Sequence, residues 1–359
     1  MKRLVGVCVA LVLVLGVGVV VLQTCCHSAP DPVKLTVLKG LVGSEKDDFF
    51  RDGAVRKALA AKGLSVEATS AGSLEMPDQA AGNDFAFPAS SVIAGGLKSL
   101  NPVPVRPFFS PLVIVAHKPT VDLLAQNGLA VQKDGVWTFK MAAYLAALNA
   151  RTTWQSLPGA ADHPALTGLL YVTTTDPKSS SSGALHLAVM SYLANGGLVV
   201  DQAGVDRVRP VLRHLTEIQG AQLPSSEGPF LNFASGVGNP LVWVYESQVA
   251  QEAQAGTLPD DTVLLYPDTT FLSDHTVVEL TKQAAPLALA LRDDPVLQGL
   301  EAKLGFRPSG DPAAFGKAMA STKTKGFAPD LTQAGVAQVA IPAPDRMSQL
   351  VAAAKGDNG

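Results

Sequence analysis

From Val33 onward, stretches typical of β-strands alternate with stretches typical of helices, and this alternation constrains the fold more than any other feature. The segment "VKLTVLKGL" (33–41) is apolar and β-branched, which predicts a buried strand. The segment "SEKDDFFRDGAVRKALAAKG" (44–63) predicts a helix, and "LSVEATSAGS" (64–73) predicts a second strand. Such alternation predicts an α/β protein with mostly parallel sheets.

The same alternation continues to about residue 304. Strands are predicted at 84–91, 107–119, 166–175, the start of 239–256, and 262–271, and helices at 140–150, 184–195, the end of 239–256, and 275–304. The part from 312 to 355 gives weaker signals. The chain has 359 residues, of which 47% are hydrophobic, so it is long enough for roughly two domains with real cores.

The N-terminal segment 1–26 has the features of a targeting element. Lys2 and Arg3 precede an uncharged apolar run from Leu4 to Leu22. About 20 apolar residues suffice to span a bilayer, and basic residues before the span favour the cytoplasmic side. We therefore expect residues 1–26 to be a signal peptide or a membrane anchor, with the remainder outside the cytoplasm.

All three cysteines lie in this segment, at Cys8, Cys25 and Cys26, so the rest of the chain has no disulfide framework. The tetrapeptide Leu-Gln-Thr-Cys ending at Cys25 resembles a bacterial lipobox, which implies lipidation of Cys25. It departs from that pattern at Gln23 and Thr24, where small residues are expected. A lipoprotein and an uncleaved anchor both remain open, and both imply an exported protein tethered to the cell membrane.

The charge and the motifs exclude several classes of function. Charged residues make up 16% of the chain and the formal net charge is −3, which argues against a nucleic-acid-binding surface. The sequence has no G-x-S-x-G elbow, phosphate-binding P-loop or H-E-x-x-H helix, and its six histidines are scattered. We predict no catalytic residue, no metal site and no cofactor. A hydrolase that uses Asp176, the following serines and His186 is a less favoured alternative.

Small polar residues recur where predicted strands end and helices begin: Gly43-Ser44, Ser70–Ser73, Ser90-Ser91 and Ser179–Gly183. Ligands of open α/β sheets bind outside the carboxyl ends of the strands. Helix N-termini offer free N–H groups and a positive dipole end there, and serine hydroxyls add donors. The recurrence predicts a neutral, donor-rich pocket, although each serine alone is more often a helix cap, and the four-serine run alone is as often a linker.

The order and spacing of these segments resemble those of bacterial extracellular solute-binding proteins with the type 2 periplasmic binding fold, of the molybdate- and sulfate-binding style. The matching segments are "VLKGLVGSEKDDFF", "ATSAGS", "NDFAFPASS", "RPFFSPLVIVAHKP", "TDPKSSSSG", "VWVYES" and "VLLYPDTTFLSDHTVVELT". The resemblance implies two α/β lobes with mixed, mostly parallel sheets, joined by two hinge crossovers. Lobe one is then 33–108 plus 262–355, and lobe two is 109–261.

The resemblance also implies which residues contact the ligand in the cleft between the lobes. They are Ser44, Ser70, Gly72 and Ser73 from lobe one, and Ser180, Ser181, Ser182, Gly183 and Tyr245 from lobe two. Within the serine run we expect Ser181 and Ser182 to matter most. Glu246 is expected in the cleft, where its carboxylate opposes an anion, with Lys39 and Lys46 available to offset it.

The implied function is capture of a small-molecule or anion ligand, for which an oxyanion is one candidate, for an ABC-type permease in the membrane. Such a protein is expected to be a monomer that does not bind nucleic acid. A tethered sensor or scaffold with the same fold is the alternative, and an exported serine hydrolase is the third. No motif specifies the solute.

Overall fold

The computed structural model describes residues 34–101 and 103–356. The predicted signal peptide or anchor (1–26), with its candidate lipidation site Cys25, lies outside the described residues. In the part of the chain that is described, no helix combines the length and the apolar character that crossing a membrane requires.

The first part of the chain forms short elements around three strands and ends in one long strand. The elements are β1 (Thr36–Val42), a 3-10 turn (Ser44–Lys46), α1 (Asp47–Arg51), α2 (Gly53–Ala60), β2 (Leu64–Ser70), α3 (Met76–Gln79), β3 (Phe85–Phe87), α4 (Ser91–Ala94) and β4 (Val105–His117). The helix predicted over 44–63 is broken at Asp52. Its side chain accepts hydrogen bonds from the backbone N–H groups of Ala54 and Val55 and thereby starts a new helix.

The middle part is mostly helical. It contains α5 (Lys118–Gln126), β5 (Ala130–Lys133), β6 (Val136–Phe139), α6 (Met141–Asn149), two 3-10 turns (Trp154–Ser156 and Ala160–Asp162), α7 (Ser181–Ala194), α8 (Gln202–Glu217), α9 (Glu227–Ala234), β7 (Val242–Tyr245) and α10 (Glu246–Ala255). The strand predicted over 166–175 is wrong. That segment makes only isolated bridges, at Leu169 and Thr173, and its Val172 N–H donates to the Tyr144 hydroxyl (3.0 Å) instead of to a ladder partner.

The last part returns to the sheet before ending in a helix. It contains β8 (Thr262–Pro267), β9 (Thr269–Thr270), β10 (Leu272–Glu279), a 3-10 turn (Lys282–Ala284), α11 (Ala285–Asp293), α12 (Pro295–Lys303), β11 (Arg307–Pro308), α13 (Ala313–Met319), β12 (Ala337–Gln338) and α14 (Pro344–Lys355). The helix predicted over 275–304 is wrong in its first turn, because the β-branched run Thr276–Val278 belongs to β10 and pairs with β3 and β4.

The α/β class is confirmed, and β4 is the strand that connects the two regions of the large sheet. Along the sheet the order is β2-β1-β3-β10-β4-β8-β6-β5, and β7 and β11 also pair with β4. The first half of β4 pairs with β10 and β11, and its second half pairs with β7 and β8, all antiparallel. The expectation of mostly parallel sheets is therefore wrong around β4. It holds for the pair β1 and β3 and for the pair β6 and β8, which are parallel. Strand β4 differs because it crosses between the regions in the direction opposite to the strands that return.

Separate apolar clusters support the two regions. One cluster joins β1, α1, α2 and the first half of β4 to α11 and α12, with Phe49, Phe108 and Phe306 at its centre. Another joins the second half of β4 to α7, α8 and α14. Helix α14, from the segment assigned to lobe one, thus packs on helices from the segment assigned to lobe two. The exact lobe boundaries stay a prediction.

Candidate functional site

A cavity of about 250 Å³ lies where segments from distant parts of the chain meet. Its lining is dominated by serine and glycine and includes Gly43, Ser44, Glu45, Ser70, Ala71, Gly72, Ser73, Glu75, Gln79, Ser179, Ser180, Ser181, Pro224, Ser225, Ser226 and Tyr245. Seven of the nine residues predicted to contact a ligand lie in this lining: Ser44, Ser70, Gly72, Ser73, Ser180, Ser181 and Tyr245. The structure therefore brings the separate polar turns together around one space.

The other two predicted residues lie behind the lining. Ser182 is fully buried, and its hydroxyl is 2.7 Å from the Thr175 hydroxyl and 3.1 Å from the Ser180 hydroxyl. Gly183 packs so closely on the Thr175 carbonyl that a Cβ atom has no room. Both residues therefore shape the turn before α7. Ser179, the first residue of the serine run, also lies in the lining.

Three helices begin at the cavity, which places their positive dipole ends beside its serine hydroxyls. The residues that precede α7, α9 and α10 are Ser180, Ser226 and Tyr245, and all three line the cavity. The first N–H groups of a helix have no partner within the helix, and the dipole places a partial positive charge there. The cavity can therefore hold an anionic or acceptor-rich group without a cationic side chain.

The two sides of the cavity approach each other closely. The Ser44 hydroxyl lies 2.9 Å from the Ser225 hydroxyl, which joins the turn after β1 to the turn before α9. A Cβ atom on Gly72 would lie 2.6 Å from the Ser179 carbonyl oxygen, so only glycine permits the observed separation. The remaining space suits a small solute.

A buried cluster of ionisable side chains lies next to the cavity. The Lys46 ammonium contacts the Glu45 carboxylate and is 3.0 Å from His275 Nδ1, and all three side chains are almost fully buried. Burial opposes charge on Glu45, but the Lys46 ammonium and His275 together outweigh it and hold the pKa of that carboxyl well below its usual range. Burial and the Lys46 charge lower the pKa of His275 to about 4. Burial lowers the pKa of Lys46, and the Glu45 carboxylate opposes that lowering; within the cluster, Glu45 is on the cavity side.

The expectation that Glu246 opposes an anion in the cleft is wrong. Its carboxylate is buried away from the lining and accepts two hydrogen bonds from Arg307, to Oε2 from Nε (2.7 Å) and to Oε1 from Nη2 (2.8 Å). The Tyr266 hydroxyl donates to the same carboxylate. Lys46 is paired with Glu45, and Lys39 is on β1 outside the lining, so neither offsets Glu246.

Sequence reasoning missed the turn Pro224–Ser226 and the acidic residues Glu45 and Glu75. The sequence "PSSEGPF" carries a signal for that turn, because serine followed by an acidic residue is typical of a helix start. Helix α9 follows it directly. The local sequence gives no signal that Glu45 lines the cavity. Besides the neighbouring Lys46, its position depends on a contact with His275, which is 230 residues further along the chain (275 − 45).

The residues of the hydrolase alternative have other partners in the structure. His186 is buried within α7 against the Trp243 ring, with the ring centroids 5.0 Å apart, while Asp176 pairs with Lys355 (3.0 Å). Among the described residues, His186 Nε2 has no hydrogen-bond partner, so it does not make the hydrogen bond to a serine that the hydrolase alternative requires of that nitrogen. No group of three metal-ligating side chains occurs in the described residues.

Acidification from pH 7 toward pH 4 is expected to lower the free energy of unfolding. Burial lowers the pKa of His186 to about 3 and that of His275 to about 4, whereas both titrate near 6.5 in the unfolded chain. The unfolded chain therefore binds protons that the folded chain does not. The stabilisation is fully present above about pH 6.5 and is lost as the pH falls below it, by up to about 1.4 kcal/mol per pH unit for each histidine.

Urea unfolding of the wild type and of His186→Leu at several pH values between 7 and 4 measures this effect. The comparison separates the contribution of His186 from those of other groups. One of these is Glu301, whose pKa is raised by burial and whose contribution to the pH dependence of stability therefore has the opposite sign. We expect a shallower loss of stability in the variant. Parallel pH profiles for the two proteins would show that His186 does not contribute.

The chain is similar to solved structures of solute-binding proteins over most of its length. It aligns with a periplasmic thiamin binding protein at 11% identity and a TM-score of 0.57, covering 90% of this chain and 97% of the other. It aligns with iron-bound HitA from Pseudomonas aeruginosa at 10% identity and a TM-score of 0.55, covering 90% and 100%. With the sulfate-binding protein SubI from Mycobacterium tuberculosis the identity is 20% and the TM-score 0.53, covering 79% and 90%.

No protein-family model matches the chain, and no curated protein sequence matches it. The structural similarity establishes the fold. At identities of 10–20% it leaves the solute open. The TM-scores of 0.53–0.57 extend over 79–90% of this chain. The chain therefore has the two-lobed type 2 periplasmic binding protein fold.

Proposed function

We propose that the protein is an extracytoplasmic, membrane-tethered solute-binding protein that captures a small solute in the serine-lined cavity and delivers it to an ABC-type permease. It acts as a monomer and performs no covalent chemistry. The observation that carries this proposal is the cavity itself, into which two distant parts of the chain, 43–79 and 179–245, contribute donor-rich turns.

Capture follows from the position of the cavity between those two parts. A solute that bonds to Ser44 and Ser70 on one side and to Ser180 and Ser225 on the other holds both sides together. It stabilises the closed arrangement to the extent that it binds that arrangement better than an open one. A permease can then recognise the closed protein by its shape.

The export and the tether rest on the N-terminal sequence. The basic residues Lys2 and Arg3 and the apolar run that follows them favour membrane insertion with the remainder of the chain outside. The solved structures with this fold include proteins whose names describe binding of sulfate, thiamin and iron, which supports solute capture as the general role. Mass spectrometry of the membrane-extracted protein will distinguish lipidation at Cys25 from an uncleaved anchor.

A thermal-shift screen of oxyanions, sugars, amino acids, vitamins and metal ions on the full chain tests the proposal. At 100 times its dissociation constant, a solute that binds only the folded state is expected to add about 2.7 kcal/mol to the free energy of unfolding. We expect at least one small solute to raise the melting temperature in a concentration-dependent way. If no solute of any class does so, the sensor or scaffold alternative is favoured.

The double variant Ser180→Ala/Ser225→Ala tests whether a solute found in this screen binds in the cavity. These serines line the cavity on the side opposite Ser44 and Ser70, so their loss is expected to weaken the response to the solute by at least about tenfold in concentration. Ser191→Ala is the matched control, because Ser191 lies in α7 but outside the lining and bonds to the Ala188 carbonyl. An unchanged solute response in the double variant would contradict this site.

A further inference from the structure

A second cavity, of about 330 Å³, lies at the opposite end of helix α10 from the serine-lined cavity. Helix α10 begins directly after Tyr245 of the first lining, and its last turn and the residue after it, Ala253 and Gly256, line the second cavity. The ten residues of the helix span about 15 Å, and the two linings have no residue in common, so the cavities are separate spaces. The other residues of the second lining are Gln132, Gly135, Trp137, Leu258, Pro259, Asp260, Thr262, Val263, Lys323, Thr324 and Lys325.

Part of the wall of this second cavity is the partly exposed indole ring of Trp137. Trp137 on β6 is directly opposite Gln132 on β5, so both side chains lie on one face of the sheet, and both line the cavity. The Lys118 ammonium lies 5.8 Å from the centre of the indole ring but does not belong to the lining. The cavity therefore offers an aromatic surface to a ligand.

The polar groups around this aromatic surface are not used within the protein. In the described part of the chain, no hydrogen bond or ion pair involves the Lys323 ammonium, the Asp260 carboxylate or the Gln132 amide. Thr262 is almost fully buried, and its hydroxyl has no hydrogen-bond partner among the same residues. The lining thus combines a cation, a carboxylate, an amide and a hydroxyl group.

This combination favours a neutral ligand with several hydroxyl groups. The ammonium only donates hydrogen bonds, the carboxylate only accepts them, and the amide and the hydroxyl do both. Lys323 and Lys325 are balanced by Asp260 and by the negative end of the α10 dipole, so the lining is close to neutral. The face of an indole ring is partially negative and attracts C–H groups. A pyranose ring has both the hydroxyl groups and a C–H-rich face.

We propose that this cavity is a second binding site, which takes a neutral saccharide unit and is independent of the solute captured in the serine-lined cavity. The pyranose ring stacks on Trp137, Asp260 accepts hydrogen bonds from its hydroxyl groups, and Lys323 donates to them. Because these three side chains are wholly or partly exposed, we expect weak binding, with a dissociation constant on the order of 1 mM for a disaccharide. Such a site would keep the protein close to a saccharide-containing surface without competing for its solute.

Titration of the full chain with maltose, cellobiose and N,N′-diacetylchitobiose, followed by tryptophan fluorescence, tests this inference. Of the three tryptophans, Trp154 and Trp243 are each 1% exposed, so Trp137 is the one whose emission responds to a ligand at its surface. We expect at least one disaccharide to shift the emission to shorter wavelength in a saturable way. The shift should persist in Ser180→Ala/Ser225→Ala and be absent in Trp137→Phe.

Asp260→Asn is expected to weaken saccharide binding by about tenfold, because a charge-assisted hydrogen bond becomes a neutral one. Asp311→Asn is the matched control, since Asp311 is also exposed and lies outside both linings. If no disaccharide shifts the emission, or if Asp260→Asn binds as the wild type does, the inference is overturned. A shift that survives in Trp137→Phe, or that is lost in the serine double variant, would assign the saccharide to the serine-lined cavity. That result overturns the second site and leaves solute capture intact.

Discussion

Replacing Arg307 by methionine is expected to lower the free energy of unfolding by about 3–5 kcal/mol. Arg307 is buried in the short strand β11 and makes a two-pronged ion pair with Glu246 at the start of α10. Its guanidinium also donates to the Ala328 carbonyl (2.6 Å) and lies 4.1 Å from the centre of the Phe315 ring. The variant leaves the Glu246 carboxylate buried without its counter-charge, which is the main source of the loss.

Urea unfolding of Arg307→Met, Glu246→Gln/Arg307→Met and Arg292→Ala measures this effect. The double variant has no uncompensated buried charge and is expected to be more stable than the single variant. Arg292 pairs with Asp293 in an exposed position, so its replacement is expected to leave the unfolding midpoint nearly unchanged. If Arg307→Met unfolds at the wild-type midpoint, the buried pair does not stabilise the fold as described.

Gly72→Ala is expected to weaken solute binding by about 1–3 kcal/mol, which corresponds to roughly 5- to 150-fold in the dissociation constant. The new methyl group would lie 2.6 Å from the Ser179 carbonyl oxygen, a backbone atom that cannot rotate away. The two sides of the cavity must then separate. That separation also lengthens the contact between the Ser44 and Ser225 hydroxyls (2.9 Å).

Titration with any solute that stabilises the wild type checks this prediction. Gly299→Ala is the control, because a Cβ atom there meets nothing within 4 Å and alanine favours the helix α12 around it. We expect the control to bind normally and to be slightly more stable than the wild type. Wild-type affinity in Gly72→Ala would mean that binding does not require the close approach seen here.

The sequence was sufficient to predict the α/β class and most of the cavity, because both depend on local patterns. The apolar, β-branched run 33–41 predicts the strand observed as Thr36–Val42, which is buried in its second half and exposed at Thr36 and Val37, and glycine and serine between a strand and a helix mark the turns of the lining. The helix predicted over 184–195 is observed as Ser181–Ala194. It starts earlier because the serines are buried and bonded to one another and to Thr175, which no helix propensity indicates.

The errors have a common physical cause, which is that long-range contacts override local pattern. The apolar run 166–175 has the composition of a strand, but its Thr173 exchanges backbone hydrogen bonds only with the chain around β7. His275 lies in a segment whose spacing also suits a helix, and pairing with Phe108 on β4 decides in favour of a strand. The sequence predicts Glu246 beside a ligand, because its partner Arg307 is 61 residues away and nothing in the sequence around Glu246 indicates the pairing.

The packing of α14 on α7 has a consequence for the order in which the protein can assemble. Pro344, the first residue of α14, is made 150 residues after Ala194, the last residue of α7 (344 − 194). Met347, Leu350 and Ala353 complete the apolar cluster that supports α7 and α8. During synthesis the helix that begins at the cavity therefore lacks part of its support until those residues have emerged, so the binding-competent form is acquired late. The export proposed above would benefit from this delay, since a polypeptide that has not yet folded is the form that can be threaded through a narrow translocation channel.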